Sequence, residues 1–153
     1  MIALLPLLAG VTASRTARLT VPLSSSVPGS SPRIDSTRTT WDSVYSDSQA
    51  KRGESRYGVL CARCHQAELG GADESPALTG GAFLGNWNGH PLSELQARIR
   101  TGMPPSSPGS FGLQDITDVV AYLLAYNGFP AGTTDLPVEE MALKGIVFVA
   151  ERR

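Results

Sequence analysis

Apolar and small residues recur at steps of three and four ahead of the first cysteine, and this spacing corresponds to one face of an α-helix. The pattern predicts a helix between Ser46 and Leu60, with Ser46 or Asp47 as its N-cap. The positions that share its apolar face are Ala50, Gly53, Tyr57 and Leu60.

A second, shorter helix is predicted where Leu92, Leu95 and Ile99 fall on one face. Gly102 fits the position just after its end, because glycine adopts the left-handed conformation without a Cβ penalty. Pro104 then prevents the helix from continuing.

The longest apolar stripe predicts a third helix over residues 113–127. Gly112 is an acceptable N-cap, and Gly128 ends the helix. The buried face consists of Ile116, Val119, Val120, Leu123 and Leu124.

Irregular segments separate these helices. Residues 66–90 are rich in glycine without a sustained period, which predicts a long loop, and a compact domain rarely keeps such a loop unless it wraps something. Residues 103–110 are proline-rich and therefore extended. No segment reads as a strand, and a weak apolar patch at 136–149 predicts a short helix or a packed tail. A domain with so few large apolar residues would have a thin core unless another group filled it.

The two ends of the chain differ from its centre. Residues 1–13 hold an apolar run and a small-residue cleavage pattern typical of a signal peptide, although no basic residue precedes the run. Residues 14–40 are dominated by Ser, Thr, Pro and Arg and are expected to be a disordered spacer. The predicted domain covers 41–132, and 133–153 form a C-terminal tail. We therefore expect an exported, periplasmic protein with no transmembrane span.

Charge adds little to the functional prediction. The chain has 13 Lys and Arg against 14 Asp and Glu, so its bulk electrostatics do not favour nucleic acid as a partner. Basic residues dominate the N-terminal end and acidic residues the centre.

The segment CARCH carries the most specific chemistry in the chain. It contains the only two cysteines, Cys61 and Cys64, with His65 directly after them. A disulfide would close a very small loop and leave His65 unexplained. A zinc site lacks further ligands, since the one other histidine is His90. A thioredoxin-like pair requires a strand–helix context, which this helical chain does not provide.

The remaining interpretation is covalent attachment of haem, for which C-x-x-C-H is the signature. Two thiols on one helical turn can add to the two vinyl groups of the porphyrin, and the adjacent histidine then binds the iron. Cys61, Cys64 and His65 are thus predicted to hold one haem c per chain.

Met103 is the predicted second iron ligand. It follows the second helix in TGMPP, where two prolines stiffen the loop that would hold the thioether. A gap-filling role is the usual one for methionine, but a loop methionine has no helix face to pack from. Met141 lies beyond the last predicted helix, and His90 is interpreted as a solvent-facing loop residue.

Residues 41–132 resemble a class I c-type cytochrome. The resemblance rests on Gly53 and Tyr57 before the first cysteine, on CxxCH, on the Met-Pro element, and on DVVAYL at 118–123. The segments WDSVY, GNWNG and NGFPAG are also similar to cytochrome domains that accompany quinone-cofactor (PQQ) dehydrogenases. The implied fold is all-α, with three to four short helices around one covalently bound haem.

The resemblance extends to two further site residues. In the family a proline carbonyl accepts the Nδ1–H of the haem-binding histidine, and Pro76 is the candidate here, with Ala77 or its neighbours as alternatives. Trp87 is expected either to donate its indole N–H to a haem propionate or to pack as a lid on the ring edge. Arg98 or Arg100 would neutralise a propionate, or else occupy a solvated helix face.

These residues predict an electron carrier rather than an enzyme. Ligation by histidine and methionine leaves no open iron position for a substrate, so the haem passes one electron. We expect a monomer that is reduced by a dehydrogenase or quinol oxidase complex and oxidised by a terminal acceptor. Two alternatives stay open: a haem subunit dedicated to one dehydrogenase, and a five-coordinate haem with peroxidase or sensing activity.

Overall fold

The computed structural model describes residues 38–152. The predicted signal peptide at 1–13, and the predicted spacer up to residue 37, lie outside the described residues. The elements in chain order are β1 (Arg38–Thr39), α1 (Asp47–Leu60), α2 (Ala62–His65), α3 (Gly80–Trp87), α4 (Leu92–Gly102), α5 (Leu113–Tyr126), α6 (Glu140–Lys144) and β2 (Ile146–Val147).

The described part of the chain is mostly helical, which confirms the predicted all-α class. Six helices are present in it, more than the three to four predicted. The difference arises from α2, α3 and α6, which are short helices. The two strands, which the sequence did not predict, are two residues each and pair in parallel. None of the described helices has the length and apolar content needed to cross a bilayer.

Helix α1 begins and ends close to its predicted limits. The side chain of Ser46 accepts a hydrogen bond from the Gln49 amide at 3.1 Å, which caps one of the free N–H groups of the first turn. Helix α1 packs against α5, and the two are also joined by Arg52, whose Nε lies 3.0 Å from the buried carboxylate of Asp118.

The ends of α4 and α5 also lie near the predicted positions. Gly102 is the last residue of α4 rather than the first one beyond it. After α5, Gly128 has a φ of +83°. The Gly128 amide donates to the Ala125 carbonyl at 3.0 Å and the Phe129 amide to the Leu124 carbonyl at 3.1 Å. This Schellman arrangement satisfies carbonyls that the helix end leaves free.

Helix α3 corrects the prediction that residues 66–90 are one irregular loop. Its glycines disfavour a helix, but tertiary contacts outweigh that cost. Phe83 is buried, and the side chain of Asn127 accepts from the Gly80 amide at 3.2 Å while donating to the Leu78 carbonyl at 3.0 Å. The end of α5 therefore holds the start of α3.

Buried residues lie beyond both predicted domain limits, 41 and 132. Thr40 is fully buried, although the predicted spacer ran to residue 40. At the other end, Leu136, Leu143, Ile146 and Phe148 all belong to the core. These four side chains anchor residues 133–152 on the core, and β2 within this segment pairs with β1.

Candidate haem site

The two cysteines lie at the junction of α1 and α2. The carbonyl of Cys61 accepts from the amides of Cys64 at 3.1 Å and of His65 at 2.9 Å, which forms one tight helical turn. Cys61 is half-buried and Cys64 is exposed, and both are free thiols. The turn brings both sulfurs and the imidazole to the wall of a single cavity.

His65 is buried, with 7% of its surface exposed, and its Nδ1 lies 2.8 Å from the carbonyl oxygen of Pro76. A backbone carbonyl only accepts, so Nδ1 carries the hydrogen. The lone pair of the neutral ring is then on Nε2, and this nitrogen is free to bind a metal. The structure thus places Pro76, rather than Ala77, against the imidazole.

The loop that presents Pro76 is held close to α2 by backbone contacts. The Gly71 amide donates to the His65 carbonyl at 3.1 Å, and the Leu78 amide donates to the Leu69 carbonyl at 2.8 Å. Gly71 has a φ of +74°, and a Cβ there would lie 2.5 Å from the Ala77 amide nitrogen. Only glycine allows the chain to pass this closely.

Met103 caps the C-terminus of α4 and lines the same cavity. Its backbone is extended, with φ −122° and ψ 143°, and its amide donates to the Ile99 carbonyl at 2.9 Å. Pro104 and Pro105, which follow it, also line the cavity. The methionine is therefore anchored on one side by a helix and restrained on the other by prolines.

The cavity has a volume of about 470 Å³, within the usual range for a cofactor site. Its walls are mainly apolar and come from α3, α4 and α5, and the loop at Pro76 closes one side. The wall residues that the sequence analysis did not assign to the site include Phe83, Asn86, Leu95, Phe111, Val119 and Leu123. Two thiols, an imidazole and a thioether in an apolar cavity are a donor set that fits haem c.

Some of these wall residues carried a signal in the sequence. Val119 and Leu123 were predicted to be buried on the third helix, but a periodic pattern does not say whether a side chain meets protein or cofactor. Phe83 lies on α3, a helix that was not predicted because its sequence is rich in glycine.

Phe111 lies at a bend between α4 and α5, where no periodic pattern exists. Residues 103–109 form bends and turns, with the Ser107 amide donating to the Pro104 carbonyl at 2.9 Å, so the prediction that 103–110 are extended is wrong.

Trp87 and Arg98 line the cavity, whereas Arg100 does not. The ring of Trp87 lies 6.5 Å from that of Phe83 and 6.2 Å from that of His90. His90 is exposed and outside the cavity, with its Nδ1 2.7 Å from the carboxylate of Glu94. Met141 is 78% exposed on α6 and is also not part of the cavity wall.

The surroundings of the cysteines do not suit the competing chemistries. Burial, followed by the neighbouring Cys64, raises the pKa of the Cys61 thiol to about 11, whereas a dithiol redox centre requires a lowered pKa. Within residues 38–152, no group of three or more His, Cys, Asp or Glu side chains could hold a metal ion such as zinc.

Comparison with known proteins adds one family. The family model described as cytochrome c oxidase, cbb3-type, subunit III matches residues 48–123, which contain both cysteines, His65 and Met103. No curated protein and no solved structure matches the chain.

Proposed function

Because residues 48–123 belong to the c-type cytochromes, which bind haem c covalently and transfer electrons through it, we propose that this protein is a one-electron carrier with histidine and methionine as iron ligands. The observation that carries the proposal is the shared cavity. Cys61, Cys64, His65 and Met103 all line it, although Met103 lies 38 positions after His65 in the chain.

Each of these residues has one role. Cys61 and Cys64 would form the two thioether bonds, and His65 would bind the iron through Nε2. The Pro76 carbonyl fixes the orientation and tautomer of the imidazole through the 2.8 Å contact to Nδ1. Met103 would bind the iron through its sulfur.

Haem c supplies an iron that gains and loses one electron, and the protein determines how readily it does so. A thioether ligand raises the reduction potential, and the apolar walls keep water away from the ring. The ligands are also held firmly, His65 by a carbonyl and Met103 by α4 and the prolines. With His65 and Met103 both bound to the iron, no position on it would be open to a substrate.

The partners follow from this role. The family description names a subunit of a cytochrome c oxidase. We therefore propose that a dehydrogenase or quinol oxidase complex is the electron donor and a terminal oxidase the acceptor. Both would meet the protein in the periplasm, after export directed by residues 1–13.

Replacement of Met103 tests the ligand assignment. Met103→Ala, produced in a host that matures c-type cytochromes, should keep its covalent haem because both cysteines remain. It should lose the methionine–iron(III) charge-transfer band and have a lower reduction potential. Met141→Ala is the matched control, because Met141 is exposed and outside the cavity, and it should keep both properties.

A wild-type protein without the charge-transfer band would contradict the electron-carrier proposal and favour a five-coordinate haem with peroxidase or sensing activity. Loss of the band in Met141→Ala, with the band retained in Met103→Ala, would show that Met141 is the iron ligand and that Met103 is not. A further experiment mixes the protein with several electron donors and oxidases at varied salt. Electron exchange with only one dehydrogenase would identify a dedicated subunit instead of a shuttle.

A further inference from the structure

The C-terminal segment (residues 133–152) lies beyond the region that the family model matches, which ends at residue 123. Four of its apolar side chains are nevertheless almost completely buried in the core: Leu136, Leu143, Ile146 and Phe148. The C-terminal segment, although the family model does not cover it, thus contributes side chains to the hydrophobic core of the domain.

Three hydrogen bonds join this segment to the turn between α3 and α4. The Gly89 amide donates to the Phe148 carbonyl at 2.8 Å, and the Phe148 amide donates to the His90 carbonyl at 2.8 Å. The Ala150 amide donates to the side-chain oxygen of Asn88 at 2.9 Å. The turn that follows Trp87 is therefore fixed by the segment.

Phe148 also contacts the helix in front of this turn. Its ring is 1% exposed and meets the ring of Phe83 edge-on, with centroids 6.1 Å apart and planes at 85°. Phe83 in turn lies 6.5 Å from Trp87, and both of these rings line the cavity, whereas Phe148 does not. Phe148 is thus a layer behind the cavity wall.

Helix α3 has little intrinsic stability of its own, because three of its eight residues are glycine. Its position depends on what packs behind it. We propose that Phe148 is a positioning residue that holds Phe83 and Trp87 against the haem cavity and thereby keeps water from the haem. Since water stabilises the more highly charged oxidised iron, a loosened wall lowers the reduction potential.

This inference rests on the proposed haem site but can fail independently of it. The test compares Phe148→Leu with Leu136→Ala in the full-length holoprotein. Leu136 is a buried residue of the same segment, but its backbone binds the side chain of Gln49 on α1 and it does not line the cavity. Both variants should lose apolar contacts, but only Phe148→Leu should loosen the packing of α3.

Phe148→Leu should lower the equilibrium constant for reduction about tenfold, which corresponds to about 59 mV for one electron. Hydrogen exchange at the Gly89 amide should accelerate in the same variant. Phe148→Met, whose unbranched and flexible side chain fills irregular gaps more readily than leucine does, should shift the potential in the same direction by a smaller amount. Leu136→Ala should lower the free energy of unfolding and leave the potential unchanged.

An unchanged potential in both Phe148 variants, or an equal shift in Leu136→Ala, would overturn the positioning role while leaving the haem ligands untouched. A wild-type protein without haem would instead refute the proposed function itself.

Discussion

The two histidines show how the surroundings of a residue determine its chemistry. His65 is buried with Nδ1 against a carbonyl, which leaves Nε2 available to bind a metal. His90 is exposed in the turn before α4 and contacts the carboxylate of Glu94 on that helix. The sequence distinguishes the two only because His65 follows CxxC. The contact with Pro76 was implied by the family resemblance and depends on a loop whose path no local pattern encodes.

Asp135 provides a prediction at the scale of one residue. Hydrogen bonds from Ser46 and then from Arg52 hold the pKa of its carboxyl below the ordinary 3.8. A lowered pKa in the folded state adds stability above about pH 4, and this stability is lost as the pH falls through the folded pKa. Asp135→Asn should therefore be slightly less stable than wild type at pH 7, and the difference should vanish below the folded pKa.

Urea unfolding of both proteins across the pH range measures this difference. Glu140→Gln is the control, because Glu140 forms no ion pair within the described residues. Its stability should stay parallel to that of wild type. A pH-independent deficit in Asp135→Asn would show that the side chain acts through packing and not through its charge.

At the scale of elements, the crossing of α1 and α5 depends on one glycine. A Cβ on Gly53 would overlap the carbonyl oxygen of Asp118 and lie 2.8 Å from the Cβ of Tyr122. The rings of Tyr57 and Tyr122 meet beside this point, with centroids 5.3 Å apart. Any side chain at Gly53 must therefore separate the two helices.

Gly53→Ala should destabilise the protein by about 1–3 kcal/mol, the usual cost of overpacking. Gly58→Ala is the matched control, because Gly58 lies on the same helix with nothing within 4 Å of its Cβ position. That variant should gain about 0.5–1 kcal/mol from helix propensity. Chemical unfolding of the two variants gives both values, and equal effects would contradict the close crossing.

The elements also show why part of the fold could be predicted. Helices α1, α4 and α5 have apolar faces that meet other helices, so a periodic pattern revealed them. Helix α3 forms because Asn127 and the buried ring of Phe83 hold it, and these contacts are remote in sequence. The parallel pairing of β1 with β2 joins residues at opposite ends of the domain, which no local rule detects.

For the whole molecule, the central feature is a cavity where a domain of this size would otherwise have apolar side chains. The sequence predicted the cavity indirectly, because the chain has too few large apolar residues to fill a core of its own. Leu95, Val119 and Leu123 belong to the core and also line the cavity, so haem would add apolar contacts to side chains that already pack together. A group that binds only the folded state stabilises it, so we expect the chain to be markedly less stable before haem attachment than after it.

The central claim is that one haem is bound covalently through Cys61 and Cys64. Its most direct test is the intact mass of the denatured protein, matured in a host that attaches haem c, before and after treatment with a thiol-alkylating reagent. The account predicts an intact mass that exceeds the apoprotein mass by one haem, and no alkylation. A chain of apoprotein mass that takes up two alkyl groups would contradict it.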